Sequence, residues 1–330
     1  MKGCDSMKNV KRADGAYVES GGIRVQPSRF ERVIHKIWQD KLIYLMILPV
    51  VVYYVVFRYL PMLWLGISFY DYKILLGIQG SQFVGLANFQ YFFSNPDFLR
   101  ILWNTVYLSV LCLVFCFPAP ILFALLLNEV SGRYYKKAVQ TISYLPYFLS
   151  SVVVVGIVYS LLSPTSGTIN ALLRSMGMKT INFMQEPQFF RPIYVIANIW
   201  QGVGWGSIVY LSALTNVDQT LYEAAMVDGA SRFKQVIHIT LPSILGTIVV
   251  MFILQIGSLL SVSFDMVYLL QQPTNYSVSE VLATYIYKIG ITGANYSVAT
   301  VAGLFNSVVS LALVLFANLL SRKYAEVSII

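Results

Sequence analysis

The chain has 330 residues, 57% hydrophobic and only 12% charged. A soluble domain carries about 25% charged residues, so the composition argues against an ordinary soluble protein and for a polytopic one that has lipid as its main solvent. The formal net charge of +8 is not a nucleic-acid footprint, because the basic residues gather at the N-terminus and in short loops, as the positive-inside rule expects.

Residues 1–40 form a polar, basic N-terminal segment. Its first part reads as disordered. Between Pro27 and Asp40, the spacing of Phe30, Val33, Ile34 and Ile37 predicts a helix lying on the inner membrane surface. His35 in this stretch reads as a solvated or interfacial residue, not a metal ligand. No apolar run precedes Cys4, so neither a lipoprotein cysteine nor a cleavable signal peptide is expected.

Residues 41–330 read as one transmembrane domain with six apolar spans, near 42–60, 101–127, 138–162, 192–214, 243–264 and 298–320. Each is long enough to cross a hydrocarbon core of ~30 Å. Pro118 and Pro120 in the second span and Pro146 in the third predict kinks. Cys112 and Cys116, in one span, read as inert buried thiols. The loop at 61–100 is rich in aromatic residues and predicts an amphipathic helix on the outer surface.

Charge fixes the expected orientation. The chain up to Lys41, with the loops after spans two and four and the C-terminal tail, holds sixteen Lys and Arg, against six on the other side. Both termini are therefore expected in the cytoplasm of a multi-pass plasma-membrane protein. Arg58 and Asp265 fall at span ends, where a charge is cheap.

Polar residues inside spans are informative because lipid penalises them. Asn198, Gln201 and Trp205 follow steps of three and four, so they share a face of the fourth span. Gln255 and Ser258 form a similar patch on the fifth, and Asn306 lies in the sixth. They read either as a sugar path, with amides for hydroxyls and an indole for a pyranose face, or as interhelical hydrogen bonds. Gly202, Gly204 and Gly206 lie inside a span, which excludes a dinucleotide loop and predicts close helix contact or local irregularity at a cavity.

The stretch from Leu221 to Pro242, within a loop spanning about 217–242, is a polar island between two apolar segments. Asp218 is placed to cap a first helix, with Glu223 near its positive end. Gly229 permits a bend. A second short helix carries Phe233, Val236 and Ile237 on one side. Pro242 predicts that Leu241 leaves the helical region. The product is a knob with an apolar face, tied to buried helices at both ends.

Glu223-Ala224-Ala225, Gly229, Ile239 and Leu241-Pro242 match, at every spacing, the EAA loop of ABC importer permeases, which the stretch resembles. Tyr222 and Asp228-Gly229-Ala230 resemble the sugar-importer branch. So do Gly85-Leu86-Ala87-Asn88-Phe89, Trp103-Asn104-Thr105 and the segment Thr284 to Gly290. The resemblance covers roughly residues 40–330 and points to a complex-oligosaccharide importer. It implies an all-α fold of six transmembrane helices, the type I ABC importer permease fold, working by alternating access. It further implies a second homologous permease, two ATP-binding cassette subunits that hold ATP and Mg, and an extracytoplasmic sugar-binding protein. In that family the loop, here Glu223, Ala224, Ala225, Asp228, Gly229, Phe233, Ile239, Leu241 and Pro242, inserts into a cleft of the ATPase.

The chain has no G-x-x-x-x-G-K-[ST] loop, and His238 has no Cys or His cluster around it. No enzyme activity, bound cofactor or metal is therefore expected of this chain itself. A permease for a non-sugar solute stays open as an alternative. An ion-coupled carrier is disfavoured by the lack of paired intramembrane acids.

Overall fold

The computed structural model describes residues 17–18, 24–25, 40–257 and 262–324, with side chains described for 40–257 and 262–319. The stripe from Phe30 to Ile37 and the candidate path residue Ser258 lie outside the described residues. Contacts divide the chain into two compact units, Met1–Gly66 and Ile67–Ile330.

In the first unit, Tyr17–Val18 pairs antiparallel with Arg24–Val25. A helix follows at Lys41–Tyr54, and residues 41–66 are exposed throughout. Aliphatic and aromatic side chains exposed along a whole helix suit a lipid surround.

The second unit is mostly helical. Among the described residues of the whole chain, three helical runs are long and apolar enough to cross a membrane: Lys41–Phe69, Phe98–Glu129 and Tyr296–Leu319. Two bent pairs raise the number to five if each counts as one span. The expected fourth span lies in the 28-residue helix Pro187–Leu214, about 42 Å long at 1.5 Å per residue. Asn198, Gln201 and its glycines make it less apolar than the other runs. Length and composition thus give three to five crossings where the sequence pattern gives six.

Prolines shape these helices in a repeated way. A π-helical segment precedes Pro61, Pro118 and Pro242, at Val55–Tyr59, Cys112–Cys116 and Val236–Thr240. In each, the N–H one residue after the segment bonds five residues back, Leu60 to Val55, Phe117 to Cys112 and Leu241 to Val236. The wider turn makes room for a ring that would otherwise press on the preceding turn.

This corrects the expectation for Leu241. It stays helical at φ −63° and ψ −48°, with Pro242 in the first turn of helix Leu241–Ser243, a position that proline tolerates. The chain bends after Ile244 instead, by 62° into helix Leu245–Gly257.

The third span is also corrected. Arg133–Phe148 and Ser151–Leu162 meet at 102°, a break and not a kink at Pro146. Leu149 and Ser150 are both extended, with ψ of 137° and 154°. The outer loop differs too. Its helix, Ala87–Phe93, has only seven residues, and most of the preceding stretch forms an antiparallel hairpin, Tyr70–Lys73 with Gly77–Phe83. The Asn88 amide fixes the hairpin base by donating to the Ser68 and Tyr70 carbonyls at 2.8 and 2.9 Å.

Three apolar clusters form the core of the second unit. Helix Pro187–Leu214 supplies Phe190, Tyr194, Val195 and Ala197 to one, and Tyr210, Leu211 and Leu214 to another. Lipid is as apolar as leucine, so helices associate through close packing more than through water exclusion. Gly204 and Gly206 provide that closeness, as expected: a Cβ on Gly204 would run into the Ser143 backbone, and one on Gly206 would lie 3.0 Å from Pro120.

Candidate functional site

Two regions carry the candidate residues. The first is the knob. Helix Gln219–Val227 starts at Asp218, whose carboxylate accepts from the Thr220 N–H at 2.9 Å. That bond holds the Asp218 carboxyl below its ordinary pKa. The helix ends in a Schellman arrangement. Gly229 takes φ +73°, its N–H donates to the Met226 carbonyl at 3.1 Å, and the Ala230 N–H donates to the Ala225 carbonyl at 2.9 Å. Such a turn needs the left-handed region, which costs a Cβ-bearing residue about 1–2 kcal/mol.

From this bend the short helix Arg232–Gln235 runs into the π segment Val236–Thr240. The knob has two kinds of apolar residue. Tyr222, Val236, Ile239 and Leu241 pack against the core that holds Tyr210, Leu214 and Ile244. Leu221, Met226, Val227 and Phe233 are exposed, Val227 at 88% and Phe233 at 73%. Glu223, Ala224, Asp228, Gly229 and Pro242 are exposed with them, and Ala225 is half-buried.

Two polar contacts root the knob. The Tyr222 hydroxyl lies 2.9 Å from that of Thr240, and Arg232 Nη1 donates to Glu129 Oε2 at 3.2 Å, at the end of helix Pro118–Glu129. The partner role of Glu129 is a signal that local sequence reading did not hold, because 103 residues separate the pair.

The second region is the break between Phe148 and Ser151. Gln201 Nε2 donates to the Leu149 carbonyl at 2.9 Å, supplying a bond that the helix no longer makes. Ser150 Oγ caps the following helix by accepting from the Val153 N–H. One turn beyond Gln201, the Trp205 indole stacks on Tyr147, with centroids 4.7 Å apart and planes 6° apart, and Phe148 meets it edge-on at 5.7 Å. All three rings are exposed. Sequence reading singled out Trp205 but not Tyr147 or Phe148. The signal was present in Leu145-Pro146-Tyr147-Phe148, where two aromatic residues follow a proline.

The remaining path candidates do not join this cluster. Asn198 turns back to its own helix and donates to the Tyr194 carbonyl at 2.8 Å. Gln255 is exposed on helix Leu245–Gly257. Asn306 lies on helix Tyr296–Tyr324, half-buried, with its Oδ1 buried and unpartnered. These two helices pack on one another.

Among the described residues, no group of three or more His, Cys, Asp or Glu is placed to hold a metal.

Comparison with known proteins gives a consistent picture. Residues 117–326 match the family described as binding-protein-dependent transport system inner membrane component. The polygalacturonan/rhamnogalacturonan transport system permease protein YteP of Bacillus subtilis is 46% identical over 317 residues, covering 96% of this chain and 99% of that one. Protein LplB of the same organism is 46% identical over 288 residues, covering 87% and 91%. Among solved structures, a bacterial alginate ABC transporter, in complex with a periplasmic protein bound to alginate pentasaccharide, has a chain 43% identical with a TM-score of 0.84. The match covers 90% of this chain and 100% of that one.

Proposed function

Since the chain belongs to the family of binding-protein-dependent transport system inner membrane components, and is a membrane permease subunit of an ABC importer and not an enzyme, we propose that it forms half of an oligosaccharide path through the bacterial plasma membrane. Its partners are a second, homologous permease, two ATP-hydrolysing subunits that hold ATP and Mg, and an extracytoplasmic sugar-binding protein. Both termini and the knob face the cytoplasm, where the charge bias puts them.

The observation that carries the reading is the division of apolar residues in the knob. Leu221, Met226, Val227 and Phe233 are exposed on a bent pair of short helices, while Tyr222, Val236, Ile239 and Leu241 are half-buried against the helix core. An exposed apolar edge fits a cleft on the ATPase. The half-buried residues make the knob one body with the helices behind it. Closure of the ATPases on ATP would push this body, turn the path outward and let it accept sugar. Hydrolysis would return it inward.

The sugar path runs past the break at Leu149 and Ser150. A pyranose ring has apolar faces of C–H groups and an equator of hydroxyls. The exposed rings of Trp205, Tyr147 and Phe148 suit the faces, and the nearby irregular backbone supplies polar groups of the kind that only a cavity tolerates in a membrane. Relatives that import polygalacturonan, rhamnogalacturonan or alginate favour an oligosaccharide from an acidic polysaccharide as cargo.

Purification of this chain from native membranes tests the assembly. An ATPase and a second permease should come with it, and the chain recovered alone but active in ion-driven flux would overturn the proposal. Trp205→Ala tests the path. Uptake should fall at least tenfold with assembly intact, and uptake unchanged at equal expression would remove the indole from the path.

A further inference from the structure

A second cavity lies away from both regions, between the turns that follow helix Ser151–Leu162 and precede helix Pro187–Leu214. It measures about 330 Å³ and is lined by Tyr159, Ser163, Asn182, Gln185 and Gln272, with Pro164 and Met184 completing the wall. No charged residue lines it. In the orientation proposed above, these turns face the outside.

The walls are held firmly. The Asn170 amide, fully buried, donates to the Leu162, Ser163 and Ile181 carbonyls at 3.0 to 3.1 Å and accepts from the Ile181 N–H at 2.8 Å. The buried Asn275 amide donates to the Met184 carbonyl at 3.3 Å. Gln272 Nε2 donates to the Tyr159 hydroxyl at 2.6 Å, tying the turn before helix Tyr276–Ser279 to helix Ser151–Leu162. Three separate segments thus converge without needing a ligand to organise them, which lowers the ordering cost of binding.

The groups left to face the cavity have spare capacity. The Tyr159 hydroxyl accepts from Gln272 and keeps its proton to donate. Asn182 uses its backbone carbonyl to accept from Gln185 and Glu186, and its side-chain amide and that of Gln185 are not used in these bonds. A neutral amide offers both donors and an acceptor, as does a sugar hydroxyl. A site built from amides and a phenol, with no cation, matches sugar hydroxyls and requires no charge on the unit it holds.

We propose that this cavity is an outer subsite that holds one sugar unit of the oligosaccharide through its hydroxyls, with Asn182, Gln185 and Tyr159 as the contacting groups. The inference rests on the sugar-importer reading. It adds a station before the aromatic cluster at the break, one that recognises hydroxyls where the cluster recognises ring faces.

The test uses the assembled transporter in proteoliposomes with its binding protein. Alginate pentasaccharide, a galacturonate pentasaccharide and an arabino-oligosaccharide serve as probes. In the double variant Asn182→Leu, Gln185→Leu, the saccharide concentration for half-maximal uptake should rise roughly tenfold, the sum of two ordinary hydrogen bonds. Gln185→Leu alone, at an exposed position, guards against a folding defect and should give about a threefold rise. If the wild type imports a probe and both variants match it, the subsite is overturned and the importer reading stands. If the wild type imports none of the probes, the sugar reading and the subsite fall together.

Discussion

The knob and the intramembrane break both change the direction of the chain, yet they are built from opposite ingredients. The knob is made locally. Asp218 caps one helix two residues away, and Gly229 closes it through bonds to Ala225 and Met226. The break is made at a distance. Leu149 is satisfied by Gln201, 52 residues on, and the path of Ser143 depends on a bare Cα at Gly204. A local device keeps its shape when the surroundings move. A distant one exists only while two helices stay in register. The first suits a coupling element that must move as a body, and the second suits a cavity wall.

Substitutions can break this contrast, and the largest effect is expected at the break. Gly204→Ala places a Cβ against the Ser143 backbone, which cannot move without shifting the helix that leads into the break. Overpacking of this kind costs about 3 kcal/mol, so assembly yield and thermal stability in detergent should both drop clearly. Gly202→Ala is the control, since nothing lies within 4 Å of its added Cβ. Equal stability in the two variants would mean that the close approach is not needed. Gln201→Leu comes next. It leaves the Leu149 carbonyl without its donor in the cavity wall, at about 2 kcal/mol. Faster amide exchange or protease nicking around 145–151 would register the loosened break.

The same contrast explains what the sequence could and could not reveal. The cap at Asp218 and the bend at Gly229 were legible because each depends on neighbours within a few residues; the face expected of Phe233, Val236 and Ile237 is instead divided, with Val236 on the core and the other two exposed. Close packing at Gly204 was legible as a tendency, from glycines spaced along an apolar span. The break was not. Pro146 predicted a kink, but the turn falls at Leu149 and Ser150, where the deciding partners are a remote amide and a stacked indole. Leu241 failed because the pre-proline rule is a bias that the surrounding helix can override, and here the chain runs helically from the π segment into Pro242. The hairpin at 70–83 was hidden among aromatic residues that also suit a membrane interface.

At the knob the expected effects are smaller in stability and larger in coupling. Gly229→Ala has free space for its methyl group but retains φ +73°, so its cost is conformational, about 1–2 kcal/mol. That cost is met locally by opening the Schellman turn. Folding and assembly should survive, while the ratio of sugar moved to ATP hydrolysed falls. A variant with wild-type coupling would show that the turn need not be rigid.

Tyr222→Phe is the mildest and most discriminating change. Either hydroxyl can donate in the 2.9 Å contact between Tyr222 and Thr240, and the Thr240 O–H also has the Gln235 carbonyl within 3.4 Å, so it keeps an acceptor without the Tyr222 hydroxyl. Removing that hydroxyl leaves Thr240 with no orphaned donor, and the aromatic ring still packs against the core. The loss should be near the low end of a single hydrogen bond, about 0.5 kcal/mol, with coupling close to wild type. That result would assign transmission to the packed body of Tyr222, Val236, Ile239 and Leu241. A large loss of coupling with unchanged thermal stability would assign it instead to the one bond between the two helices of the knob, and would make the knob a hinge and not a body.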